Sequence, residues 1–131
     1  MKIKMNTELS LKYVDASNYK SYLTIILSGA ITTEEITTLS QHLEDGDSII
    51  AHQVGLPTPS ELLASQFQFP SVDDHVWTIL EAFEHGIPQA NSMHTEKAAT
   101  ISNYSISQFV QRVSNADWDV SEEMARLNIP I

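Results

Sequence analysis

Leu9-Ser10-Leu11-Lys12-Tyr13-Val14 and, after turn residues at Asp15-Ala16-Ser17-Asn18, Tyr22-Leu23-Thr24-Ile25-Ile26-Leu27-Ser28 form the stretch on which the fold turns. In the first run Leu9, Leu11 and Tyr13 alternate with Ser10, Lys12 and Val14, a period of two that gives a strand one face in a core and one in water. The second run puts Leu23, Ile25 and Leu27 on one face and Tyr22 and Ile26 on the other. Apolar on both sides, it predicts a central strand. Gly29 ends it. Thr32 followed by Glu35 is a capping-box pattern, which predicts a helix from about Thr33 to Glu44 with Ile36, Leu39 and Leu43 along one side. Asp45-Gly46-Asp47 stops that helix, and Ser48 to Val54 reads as a third strand. The order strand, helix, strand implies a right-handed crossover with the second and third strands parallel. The sheet is therefore expected to be mixed.

Outward from this scaffold, Ser105 or Ser107 can cap a helix whose Ile106, Phe109, Val110 and Val113 make one apolar stripe. Asp119 with Glu122 marks the start of another, carrying Val120, Met124 and Leu127. Trp118 should fill the gap between the two. The length of 131 residues matches one domain, and an apolar fraction of 42% supplies one core. These elements together predict an α+β single domain over 1–131: a small mixed sheet with helices packed on it.

The middle of the chain, Gly55 to Glu84, concentrates the residues with chemical potential. Thr58-Pro59-Ser60-Glu61 reads as the start of a short helix with Leu62, Leu63 and Phe67, closed by Pro70. Val76, Ile79, Leu80 and Phe83 then fit helical spacing, with Asp73 or Asp74 as N-cap and Gly86 as the stop. On such a helix Asp74, Glu81 and Glu84 share roughly one side and face water. From Ile87 to Ser102 the periodicity disappears, which predicts a long mobile surface loop.

Charge is the strongest compositional signal: Lys+Arg 7 against Asp+Glu 17 gives a formal net charge of -10. Such a surface repels phosphate backbones and anionic lipid, so nucleic acid and membrane are not expected partners, whereas a basic protein is attracted at long range. Excess acid also serves solubility alone. The longest apolar run falls far short of the ~18 residues of a membrane span. No apolar stretch of the secretory type follows the first residues, and there is no cysteine, which together fit a soluble protein of a reducing compartment, the cytoplasm.

Catalytic motifs are missing from the sequence. There is no Gly-x-Ser-x-Gly elbow, and the four glycines stand alone rather than in a phosphate-cradling run. Asp73-Asp74-His75 is the one carboxylate and imidazole cluster. Adjacent helical residues point about 100° apart, however, and no second histidine stands at the spacing of helical zinc sites. An aspartate that caps a helix, with His75 and Trp77 half-buried, accounts for the same residues. Glu81 and Glu84 could do acid and base work, though carboxylates at that spacing more often form a solvated helix face.

The run Val54-Gly55-Leu56-Pro57, followed by Phe69-Pro70, Asp73-Asp74-His75-Val76-Trp77 and, near the end, Trp118-Asp119, resembles a pattern of small bacterial proteins. In size, acidity and lack of cysteine the chain is similar to immunity proteins of polymorphic or contact-dependent growth-inhibition toxin systems. That resemblance implies a cytoplasmic inhibitor that occludes a basic toxin domain of the nuclease kind, with no catalytic residue, cofactor or metal of its own. It carries no functional residue over. From the residues themselves, Asp73, Asp74, His75, Glu81 and Glu84 are the expected partner-binding set. The competing reading is a small enzyme or metal-dependent protein built on Asp73, Asp74 and His75.

Overall fold

The computed structural model describes residues 4–61, 70–71 and 74–129. β1 (Asn6–Val14) and β2 (Lys20–Leu27) form an antiparallel hairpin in which Leu9 lies opposite Ile25 and Leu11 opposite Leu23. Burial in β1 alternates as its sequence predicts: Thr7, Leu9, Leu11 and Tyr13 face inward. The positions of the two strands in the sheet are the reverse of expectation. The order is β2-β1-β4-β3, with β5 (His94–Thr95) also pairing β1, so β1 is central and β2 lies at the edge. Tyr22 on the outer face of β2 is 55% exposed. At Ile26, which is buried, the segment leading into the second helix bonds to the strand. The Thr100 N–H donates to the Ile26 carbonyl at 2.8 Å, and the Ile26 N–H to the Thr100 hydroxyl at 2.9 Å.

All described strand pairs are antiparallel, and the parallel crossover expected between the second and third strands is not formed. Ser28 and Ser105 make an isolated parallel bridge. β3 (Ser48–Ile49) is two residues long, and the chain then tightens into a 3-10 turn at Ala51–Val54. Gly55, at φ 82, closes that turn, and a Cβ there would collide with the Arg112 guanidinium. The place beside β3 is taken by β4 (Thr78–Leu80), which lies between β1 and β3. Thus the helix expected from Asp73 to Glu84 is not formed; a strand and a 3-10 turn at Glu81–Phe83 stand there. Val76, Thr78 and Leu80 are buried in strict alternation, but threonine at the middle position hides the period of two from a hydrophobicity reading. The Thr78 hydroxyl is buried without a partner.

The helices follow their caps. α1 (Thr33–His42) carries the full Thr32–Glu35 capping box and buries Ile36 and Leu39. α2 (Ile106–Asn115) carries the same device at Ser105 and Gln108 and buries the predicted stripe. In α3 (Val120–Leu127) the Asp119 carboxylate accepts the Glu122 N–H at 2.9 Å, and Asn128 ends the helix at φ 57. Leu9, Leu11, Ile25 and Leu27 pack with Ile36, Leu39, Phe109 and Val113 in the main core. A smaller core joins Ile50, Val76, Leu127 and Ile129. Trp118 packs against both and meets Trp77 edge-on at 6.2 Å, so it fills a wider junction than the gap between two helices.

Two stretches remain. The segment 87–102 is not a bare loop: it holds a 3-10 turn at Ala90–Met93 and β5, and Met93 is buried against the sheet. Elements of two to four residues carry too little pattern to announce themselves. A 3-10 turn over 59–61 begins where a short helix was expected, and Leu62, Leu63 and Phe67 of that helix lie outside the described residues.

Candidate partner-binding site

Residues 74–77, ahead of β4, are pinned to the hairpin through side chains. The Tyr13 hydroxyl donates to the Asp74 carboxylate at 2.6 Å and accepts the His75 N–H at 3.0 Å. The Ser71 N–H donates to the other Asp74 oxygen at 2.8 Å. Burial first, and the bond to Asp74 next, push the Tyr13 phenol well above the usual tyrosine range. His75 packs on the Tyr13 ring at 4.8 Å. Its Nδ1 lies 3.0 Å from the Trp77 N–H and must accept there, so Nε2 carries the proton and donates to the Val14 carbonyl at 2.7 Å. Both ring nitrogens are thereby used within the fold. Asp73 lies outside the described residues, and among those described no three His, Asp or Glu side chains gather as a metal site.

Glu81 and Glu84 stand on and just after the 3-10 turn beside β1, not on the water face of a helix. Glu84 is ion-paired with Lys12 at 2.7 Å, both ends less than a fifth exposed, and that bond holds the Lys12 ammonium above its ordinary pKa. Asp74, Glu81 and Glu84 therefore do not make one solvated stripe, and two of the three are fastened into the structure. The helical premise for that stripe fails because the segment pairs as β4.

On the sheet side lysines and carboxylates are mixed. Lys12 and Lys20 occupy outward positions of the hairpin, and Lys97 approaches Glu8 at 3.5 Å on the same side of the sheet. The helices and their connections carry the acid: Glu34 in the first turn of α1, Glu44 and Asp45 in the turn after it, and Asp117, Asp119 and Glu122 around the start of α3, all exposed. The two arginines that lie there are engaged. Arg112 stacks over the Tyr104 ring at 4.5 Å, and Tyr104 bonds the Val54 carbonyl. Arg126 pairs with Glu123 at 2.6 Å and with Glu61 at 3.1 Å.

Asp117, Asp119 and Glu122 border a shallow cavity of about 450 Å³ with His52 and Gln53. Gln53 holds this rim by a reciprocal pair of bonds, donating to the Asp119 carbonyl at 2.8 Å and accepting the Asp119 N–H at 3.1 Å. In the sequence Asp119 reads as a helix cap and nothing more. Nothing local links residues 52–53 to 117–122, which meet through tertiary packing. Glu123, 1% exposed and bonded at both oxygens by Arg126, was also missed, although its i, i+3 spacing to an arginine was visible.

The fold and these surfaces define a small α+β domain with a strongly acidic helical side, and no helix among the described residues is long and apolar enough to cross a membrane. Comparison with protein-family models, curated proteins and solved structures finds no match.

Proposed function

We propose that this domain is a cytoplasmic inhibitor of the immunity-protein type, which captures a basic toxin domain and blocks it by occupying its surface. The observation that carries this reading is the exposed acid of the helical side, beside which the two arginines are already engaged. A field of one sign on one side accelerates and orients encounter with a partner of the other sign. Chemistry at Asp73, Asp74 and His75 is the competing reading, and the use of both His75 nitrogens in structural bonds weighs against it.

The test is association kinetics with the C-terminal domain of a large secreted protein encoded beside this chain. Changing Glu44, Asp45, Asp117 and Glu122 together to Lys should slow association by about tenfold or more at low salt, with the gap closing as salt screens it. The thermal midpoint should hold, since exposed charges contribute roughly 0–1 kcal/mol each. Equal rates for the variant and the original protein at low ionic strength would remove the electrostatic basis of the proposal.

A further inference from the structure

The outer edge of β2 is open over part of its length, and the hydrogen bonds show which groups are free. In an antiparallel strand alternate residues direct both N–H and C=O to the same side. Ile26 directs both away from β1, to Thr100, at 2.9 and 2.8 Å. Lys20, Tyr22 and Thr24 share its parity and turn the same groups outward, while Ser21, Leu23 and Ile25 face β1. All three outward residues are exposed, and no described residue bonds the outward backbone of Tyr22 or Thr24. This free run has two ends. Thr100 occupies the edge at Ile26, and before Lys20 the chain bends at Asn18, φ 67, back toward β1. An unpaired edge is a template for a further strand, and Thr100 already uses it as one, its N–H and hydroxyl standing where a neighbouring strand's N–H and C=O would stand.

Length and charge choose the occupant. We propose that two copies of this chain pair antiparallel along β2, with the two-fold axis at Tyr22. Tyr22, 55% exposed, then faces the partner's Tyr22, and Lys20 faces the partner's Thr24, each pair exchanging both of its N–H···O bonds. The register is set by the two ends of the run. A shift by two positions one way drives Lys20 against the partner's Ile26, where Thr100 already sits, and the other way leaves Thr24 opposite the partner's Asn18, where the hairpin bends away. Centred on Tyr22, every free outward group is used and no like charges stand opposite one another. No Asp or Glu lies between Asp15 and Glu34, so the strand brings no carboxylate of its own to the contact. The inference stands apart from the capture of a basic protein, which uses Glu44, Asp45, Asp117 and Glu122.

The experiment is sedimentation equilibrium of the full chain, with amide hydrogen exchange at low and high protein concentration. A dimer should form at roughly 0.1–1 mM, since one strand pair is smaller than a standard interface. Added salt should strengthen it, by screening two chains of net charge -10 from each other. The Tyr22 and Thr24 amides should gain protection as concentration rises, and the Leu23 amide, which faces β1, should not change. Thr24→Pro removes an outward N–H and none toward β1, and should weaken the dimer about tenfold, one bond being lost from each copy. Should that proline disturb the hairpin, the exposed Tyr22 supplies a second test. Tyr22→Glu and Tyr22→Lys should each be monomeric alone and should dimerise when mixed, because the two-fold sets the new charges opposite one another. A chain that stays monomeric at ~1 mM in high salt refutes the proposal. A dimer that persists unchanged in Tyr22→Glu uses another surface and refutes it as well. If the original protein dimerises but the mixed variants do not, the axis is not at Tyr22 and the register is wrong.

Discussion

At Asp74 a carboxylate that reads in sequence as a helix cap or a free acid accepts the Tyr13 hydroxyl and the Ser71 N–H, at 2.6 and 2.8 Å. It is the hub that holds residues 74–77 to the hairpin, and Asp74 and Glu84 are not the free, water-facing carboxylates of the expected helix. Asp74→Lys should cost at least ~2 kcal/mol, because it removes a charge-assisted bond and leaves the buried phenol without its acceptor. Glu84→Lys brings two ammonium groups together at Lys12 and should also destabilise, by less, since that pair keeps some contact with water. Urea denaturation of the two single variants checks this; a midpoint for Asp74→Lys equal to that of the original protein would strip Asp74 of the role. The error in reading came from distance along the chain. Tyr13 and Asp74 are remote in sequence, and no local pattern announces that they meet.

Among the three α-helices, α3 has the thinnest apolar attachment. Its own buried apolar residue, Leu127, joins a cluster of four, with Met124 half-buried beside it. The helix is secured by Arg126, which bonds both oxygens of Glu123 and reaches the Thr58 hydroxyl at 3.1 Å and Glu61. The Glu123 bond, with burial working against it, raises the Arg126 pKa further. Removing the arginine strands a carboxylate that is 1% exposed. Arg126→Ala should therefore cost roughly 3–5 kcal/mol, whereas replacing Arg126 and Glu123 together by methionine should recover much of that loss. Chemical denaturation of the single and double variants separates the two; a loss under ~1 kcal/mol for Arg126→Ala would mean that apolar contacts alone dock α3.

For the whole molecule, three groups couple stability to alkaline pH in the same direction. Tyr13 and Tyr104 are raised by burial, and Lys12 by its bond to Glu84. A group with a raised pKa holds its proton more tightly folded than unfolded, so its contribution is complete below the ordinary value and is lost as pH climbs toward the folded one. The thermal midpoint should therefore fall as pH rises above 10, the ordinary tyrosine value. Tyr13→Phe should make that decline shallower while lowering stability at neutral pH through its two lost bonds. An unchanged alkaline slope in Tyr13→Phe would mean that Tyr13 is not the main group responsible.

The α+β class, the hairpin strands and all three helices were legible in the chain, because caps and apolar stripes act within one or two turns and alternation acts within one strand. Thr32 with Glu35, Ser105 with Gln108 and Asp119 with Glu122 each specify a boundary from residues three apart. Tertiary structure alone decided the rest. Which strand is central depended on β4 and β5 choosing β1 as partner, and β4 itself read as helix because Val76, Ile79, Leu80 and Phe83 fit a helical period while Thr78 hides the alternation of the strand. The site followed the same division. Net charge was plain from composition, but which carboxylates stay free depended on Lys12, Tyr13 and Arg126 reaching them across 72, 61 and 65 positions of chain, contacts between side chains that only a folded core brings within bonding distance.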